Sequence, residues 1–130
     1  AVPIIHMPMF TLTVKMEFAG AHNLRGYEGS CERLHGHNWQ VEAQVAGEKL
    51  DGIGILVDFK EIKSKLREHL ATYEHRYLNE IPPFDEVNPS AENLARQLYT
   101  DLSAAINRPG ARVQRVTIWE TEQSGCTYEE

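Results

Sequence analysis

Phe10-Thr11-Leu12-Thr13-Val14-Lys15-Met16-Glu17-Phe18 alternates apolar and polar residues without a break. Phe10, Leu12, Val14, Met16 and Phe18 share one face, and Thr11, Thr13, Lys15 and Glu17 share the other. A period of two held over all nine positions predicts a strand with one buried face. The pattern returns at 38–45, where Trp39, Val41, Ala43 and Val45 oppose Asn38, Gln40, Glu42 and Gln44. Between the two runs lies a segment, roughly 23–34, rich in Gly, Asn, Arg and Glu. Connections of this length are uncommon in compact domains and are usually functional or disordered. The simplest topology is an antiparallel pair joined by this long loop.

Downstream, Asp51-Gly52-Ile53-Gly54 reads as a turn. Asp58 is placed as a helix N-cap, with Glu61 at capping-box spacing. Phe59, Ile62, Leu66 and Leu70 then recur at helical spacing to about residue 72. Residues 73–88, with Pro82, Pro83 and Asn88, read as loop. A second helix is expected from Asn88-Pro89-Ser90, with proline near the first helical position. Its apolar stripe is Ala91, Leu94, Ala95, Leu98, Leu102 and Ala105, ending near Asn107-Arg108-Pro109-Gly110. Further strands are expected at about 112–121, with Val116 and Ile118 on one face, and at 126–129. Strands, two helices, then strands predict an α+β fold, each helix laying its single apolar stripe on one face of an antiparallel sheet. No repeat or linker interrupts residues 1–130, which read as a single domain.

Composition narrows the function. With 13 Lys+Arg against 19 Asp+Glu the formal charge is −6, and 42% of the 130 residues are hydrophobic. That is ordinary globular composition, sufficient for a core without disulfide staples. The acidic balance argues against nucleic-acid binding, which needs clustered cations. No apolar run is long enough for a bilayer, and Ala1-Val2-Pro3-Ile4-Ile5-His6 lacks the pattern of a secretory signal. Only Cys31 and Cys126 are present, too few for a disulfide framework. Free thiols in a reducing cytoplasm are the expectation.

The histidines carry the chemistry. His35 and His37 form an H-x-H pair entering the second strand, on the side of Trp39 and Val41. His22 has the parity of the apolar face of the first strand. Antiparallel pairing brings the end of the first strand to the start of the second, and so His22 toward His35 and His37. Three imidazoles converging on a partly enclosed point suit zinc, with one coordination position open as in a catalytic site. The alternative is three hydrogen-bonded histidines with no ion.

Cys31-Glu32-Arg33-Leu34-His35-Gly36-His37-Asn38, preceded by Phe18-Ala19-Gly20-Ala21-His22, resembles the 6-pyruvoyltetrahydropterin synthase and 6-carboxytetrahydropterin synthase family. Val57-Asp58-Phe59, Glu74-His75-Arg76-Tyr77-Leu78-Asn79, Asn88-Pro89-Ser90-Ala91-Glu92-Asn93 and Trp119-Glu120-Thr121 follow in the family's order. The resemblance spans about 10–129. It implies a tunnelling fold, a four-stranded antiparallel sheet with two helices between strands two and three. It also implies a homo-hexamer of two stacked trimers, with active sites between subunits.

The same resemblance implies Zn2+ on His22, His35 and His37, and 7,8-dihydroneopterin triphosphate as substrate. Glu120, with the parity of Val116 and Ile118, matches the carboxylate that holds the guanidine-like edge of the pterin; a carboxylate on a core face needs such a partner. Ser90 and Ala91 match the helix start that holds the ring, although Ser90 also suits a plain capping role. Cys31 is the expected general base, its thiolate favoured by a nearby cation. His75 is the expected second proton carrier, oriented by a carboxylate. Family members usually carry Asp before that histidine; this chain has Glu74, and Asp85 or Glu86 are alternatives for the orienting role.

Glu32 makes the motif Cys-Glu-x-x-His-Gly-His. A Cys-x-x-x-His-Gly-His form accompanies the tetrahydropterin synthases. A Glu-x-x-His-Gly-His form accompanies a branch that cleaves the side chain to 6-hydroxymethyl-7,8-dihydropterin. Carrying both resembles a dual-motif branch serving queuosine and folate biosynthesis, with Glu32 as second base. The expected activity is elimination of triphosphate to give 6-carboxy- or 6-pyruvoyl-tetrahydropterin by a zinc-dependent carbon–oxygen lyase. The alternative is a non-catalytic pterin- or metal-binding module on the same fold. A zinc hydrolase is weaker, because nothing besides the metal site suggests a peptide or ester pocket.

Overall fold

The computed structural model describes residues 9–29 and 32–130. The two alternating runs form long strands, β1 (Phe10–His22) and β2 (His35–Gly47). They pair antiparallel in unbroken register, from Phe10 opposite Gly47 to His22 opposite His35. Strict alternation fixes that register, because a one-residue slip would turn Phe18, Trp39 and Val41 out to water. Phe18 faces Trp39 directly, their rings stacked at 5.9 Å, and Trp39 Nε1 donates to the Gly20 carbonyl at 3.1 Å.

Helix α1 (Phe59–Leu70) starts at Asp58, whose carboxylate accepts from the Lys60 amide at 2.8 Å. The capping-box reading holds for Asp58 only: Glu61 turns its carboxylate to Arg108 instead of back to the cap. Ile62, Leu66 and Leu70 are its buried stripe. Helix α2 (Ala91–Ile106) is capped by Ser90, whose Oγ accepts from the Asn93 amide at 3.1 Å. Pro89 therefore lies just before the cap, not in the first turn. Leu94, Ala95, Leu98, Tyr99, Leu102 and Ile106 bury against the sheet and α1.

The sheet departs from the expected four antiparallel strands. It has five, in the order β3-β1-β2-β4-β5, and is mixed. The added strand, β3 (Arg76–Tyr77), lies within the stretch read as loop and pairs parallel to β1 at Gly20 and Ala21. Two residues show no period, which is why the sequence hides it. Around it, Tyr73, Leu78 and Phe84 are buried in the core. The remaining strands, β4 (Arg112–Trp119) and β5 (Gly125–Glu129), are antiparallel to their neighbours. Opposite Gln44 and Val45 of β2, the unpaired residue Gln114 makes a bulge in β4 that shifts the β2–β4 register by one.

Both helices cover one face. The other carries Thr11, Thr13, Lys15 and Glu17, exposed, and a polar ladder in which Arg115 reaches Gln44 at 2.7 Å and Glu129 at 3.1 Å. No second layer covers this face among the described residues. No helix there is long and apolar enough to cross a membrane.

Candidate metal centre

Where β1 ends and β2 begins, the pleat puts His22, His35 and His37 on the helix-covered face, over Trp39. The Trp39 ring meets His22 edge-on at 4.9 Å and His37 at 5.1 Å. Glu120 joins them from the far side. The β2–β4 ladder ends at Gln40 opposite Trp119, so Glu120 lies one step beyond it, beside Trp39. One ligand atom from each of His22, His35, His37 and Glu120 lies within 4.8 Å of every other.

The outer nitrogens decide how these rings are protonated. His22 Nδ1 is 2.8 Å from the Pro89 carbonyl, and His35 Nδ1 is 2.7 Å from the Arg33 carbonyl. A carbonyl only accepts, so both Nδ1 atoms carry a proton, and in the neutral tautomer that this fixes the Nε2 lone pair points inward. Yet His22 Nε2 and His35 Nε2 are 3.0 Å apart. Glu120 Oε1 is 3.2 Å from His22 Nε2 and 3.2 Å from His37 Nε2. His37 Nε2 is buried without a hydrogen-bond partner. Lone pairs facing lone pairs and a carboxylate repel unless a cation lies between them. Burial disfavours a second proton on His22 and on His37. Burial pulls the His22 ring below the usual imidazole range, with the Pro89 carbonyl and Glu120 opposing and His35 reinforcing it. Burial likewise lowers His37, against the pull of Glu120.

A divalent ion fits. Metal–nitrogen bonds of about 2.0–2.1 Å at tetrahedral angles place neighbouring ligand atoms roughly 3.3 Å apart. The separations of 3.0, 3.2 and 3.2 Å lie within a few tenths of that edge. The donor set of three imidazoles and one carboxylate suits zinc and neighbouring first-row metals.

The loop after His22 is held by amide side chains whose role the sequence did not reveal. Asn79 accepts from the Asn23 amide at 3.0 Å and donates to the Asn23 carbonyl at 2.9 Å. Asn88 does the same for Arg25, at 2.9 and 3.0 Å. Both copy a β-bridge with one side chain, and Asn79 is buried for the purpose. The Arg25 guanidinium donates to the Phe84 and Val87 carbonyls at 2.8 and 2.9 Å, so it serves the loop. The only local signal was Asn itself, which reads as a turn former.

The other predicted residues lie apart. Ser90 and Ala91 begin α2, next to the Pro89 carbonyl that holds His22. Glu32 is exposed and outside the ligand group. Cys31 lies outside the described residues, and Cys126 is a free thiol. Glu74 and His75 form a separate corner. Their side chains meet at 3.2 Å, and Glu74 also accepts from the Ala19 amide at 3.3 Å. Asp85 and Glu86 are exposed, and Glu74 is the carboxylate in contact with the His75 ring. His75 has φ of +56°, an uncommon conformation outside glycine, and its amide bonds to the Ala19 carbonyl at 2.7 Å. Its ring is 81% exposed. It faces a cleft of about 480 Å³ shared with Ala21, Gly36, His37, Asn38 and Tyr77.

A small α+β domain with a histidine cluster at a hairpin mouth defines a metal-site class; comparison defines the family. Residues 11–130 match the family described as 6-pyruvoyl tetrahydropterin synthase, and the chain belongs to it. It is 32% identical over 132 residues to the 6-carboxy-5,6,7,8-tetrahydropterin synthase of Bacillus subtilis, covering 95% of this chain and 87% of that protein. It is 30% identical over 109 residues to a putative enzyme of the same name from Archaeoglobus fulgidus, covering 84% and 86%. The structure of Caenorhabditis elegans 6-pyruvoyl tetrahydropterin synthase superposes with a TM-score of 0.84 at 26% identity, covering 98% of this chain and 99% of that one.

Proposed function

We propose that this chain is a zinc-dependent tetrahydropterin synthase that eliminates triphosphate from 7,8-dihydroneopterin triphosphate. The observation that carries the reading is the convergence of His22 Nε2 and His35 Nε2 at 3.0 Å, with their Nδ1 atoms tied to main-chain carbonyls. Zn2+ held there by His22, His35 and His37 supplies Lewis acidity toward the side-chain hydroxyls of the substrate.

The protein's own groups do the rest. Glu120 accepts the N–H edge of the pterin, a charge-assisted pair that sets the ring's orientation. The main chain at Ser90 and Ala91 holds the ring at the start of α2. Cys31 takes the carbon-bound proton next to the ring. His75 carries the second proton, with Glu74 fixing its ring and the Ala19 amide fixing Glu74. In one chain His75 is outside the ligand group, so we assign it to the site of a neighbouring copy. The short edge strands β3 and β5 and the uncovered polar sheet face suit assembly of sheets into rings, and a hexamer of two trimers in the cytoplasm is the form proposed. The names of the Bacillus and Archaeoglobus relatives favour the 6-carboxy product. The combined Cys31–Glu32 motif supports a dual-motif branch, with 6-hydroxymethyl-7,8-dihydropterin as second product when Glu32 is the base.

Mass spectrometry of products from zinc-loaded protein and 7,8-dihydroneopterin triphosphate tests this. A 6-carboxy- or 6-pyruvoyl-tetrahydropterin is expected. Unchanged substrate beside a retained pterin would replace the enzyme with a binding module.

A further inference from the structure

The uncovered sheet face changes character toward the end of β1. It presents Thr11, Thr13, Lys15 and Glu17, then only Ala19 and Ala21. Gly36 of β2 stands opposite Ala21. Side chains this small form the floor of the cleft of about 480 Å³ at this corner, and Arg76, His75 and Asn38 line it too. Packing does not demand the glycine. A Cβ at Gly36 would meet nothing nearer than the Gly20 carbonyl oxygen at 3.8 Å.

Arg25, Arg96, Arg108 and Arg115 each give their guanidinium to a protein acceptor. Arg76 is exposed, and no ion pair among the described residues includes it. Its backbone is nevertheless fixed, paired with Gly20 of β1 and donating its amide to the Tyr73 carbonyl at 3.1 Å. The φ of +56° at His75 breaks the alternation of an extended chain, so the successive residues His75 and Arg76 line one cleft. Glu74, the neighbouring carboxylate, is already engaged by the Ala19 amide and the His75 ring. In a chain of net charge −6, a fixed cation without an acid partner beside an open cleft suits an anion.

We propose that Arg76 binds the oligophosphate chain of the substrate, in the cleft that also presents His75. This rests on the proposed function for the identity of the ligand, and on the cleft alone for its charge. A guanidinium meets phosphate oxygens with paired N–H donors, and Asn38 offers an amide beside it. The low floor at Ala21 and Gly36 lets a chain of tetrahedral phosphates lie against the sheet. The copy that lends His75 to a neighbouring site then lends Arg76 with it. Metal and pterin are held by one chain, and the departing triphosphate by the other. The charge that collects on that leaving group is offset where the proton carrier also stands, because β3 begins directly after His75.

The test uses the intact, metal-loaded oligomer, with inorganic tripolyphosphate as anion probe and 7,8-dihydroneopterin, which lacks phosphate, as ring probe. Arg76→Ala should weaken tripolyphosphate binding by roughly 10- to 100-fold, the scale of lost charge-assisted hydrogen bonds, and raise KM for 7,8-dihydroneopterin triphosphate in step. Arg76→Lys should recover part of both. Dihydroneopterin affinity, metal content and oligomer size should stay as in the wild type. Subunit mixing tests the link to His75: at low substrate, Arg76→Ala with His35→Ala should gain turnover over both parents, and Arg76→Ala with His75→Ala should not. Unchanged tripolyphosphate affinity and KM in Arg76→Ala would overturn the inference and leave the proposed function standing. Weaker tripolyphosphate binding with KM unchanged would assign the cleft to a free oligophosphate and overturn the role in substrate binding. An equal loss of dihydroneopterin affinity would make Arg76 structural, and recovery in the mixture with His75→Ala would separate the two residues; either overturns the inference. Tripolyphosphate held through Arg76 by a protein that leaves the substrate unchanged would uphold the anion site and end the proposed reaction instead.

Discussion

His22 and His75 are both imidazoles placed by β1, yet their surroundings are opposite. The His22 side chain is 1% exposed, ringed by His35, His37 and Trp39, with Nδ1 fixed by a carbonyl 67 residues away. The His75 side chain is 81% exposed and meets its neighbour Glu74 at 3.2 Å. The residue, with φ of +56°, is held by the Ala19 carbonyl, which accepts from its amide, and it lines the cleft shared with Ala21, Gly36 and Asn38. The first region gathers its candidate ligands within a single chain, whereas the second presents its imidazole outward. The proposed function turns that difference into a division of labour, with metal binding inside one subunit and proton transfer at the contact between subunits.

Removing one imidazole of the cluster should have the largest effect. In His35→Ala the metal content should fall from one per chain to near zero. Turnover should fall by about 10³-fold or more, since several kcal/mol of charge stabilisation goes with the ion. Metal analysis beside product assay checks this, and one metal retained per chain would end the distinction between the regions. His75→Ala should lower turnover by roughly 10²- to 10³-fold, the range of a lost acid–base group, with metal content unchanged. Co-assembly sharpens the contrast. If each site takes its histidine cluster from one chain and its His75 from another, His35→Ala mixed equally with His75→Ala should recover about a quarter of wild-type turnover by random pairing. Mixtures as inactive as their parents would place both groups in one chain's site.

The same contrast explains what the sequence could and could not announce. Unbroken alternation at 10–18 and 38–45 sets β1, β2 and their shared buried face, and parity then carries His22, His35 and His37 onto it. The parity of Glu120 was equally readable, but its closeness to the imidazoles was not. It depends on β4 pairing with β2 across more than 60 intervening residues, in a register that a bulge at Gln114 displaces. Local pattern does not encode a long-range register of that kind. The two residues of β3 lack periodicity, so Tyr73, Leu78 and Phe84 looked like apolar residues in a loop while they were filling the core. The Asn23–Asn79 and Arg25–Asn88 clamps were hidden for a related reason: an amide copying a β-bridge has the same local signature as an amide in a turn.

The smallest expected effect probes whether the histidine cluster depends on the helix beside it. The Ser90 hydroxyl caps α2, and the preceding residue, Pro89, offers the carbonyl that fixes the His22 proton on Nδ1. Ser90→Ala should lower stability by about 1 kcal/mol, the usual worth of an N-cap, seen as a modest drop in the unfolding midpoint. Metal affinity should fall by less than about tenfold, because the Pro89 carbonyl is also held in place by Asn88, whose own carbonyl accepts from Asn93 at 2.9 Å. A larger loss of metal than of stability would show that the cap acts on the cluster through the position of Pro89. Loss of pterin binding alone, with metal and stability intact, would show instead that the hydroxyl touches the ring. Either result refines the boundary between the buried cluster and the surface that completes it.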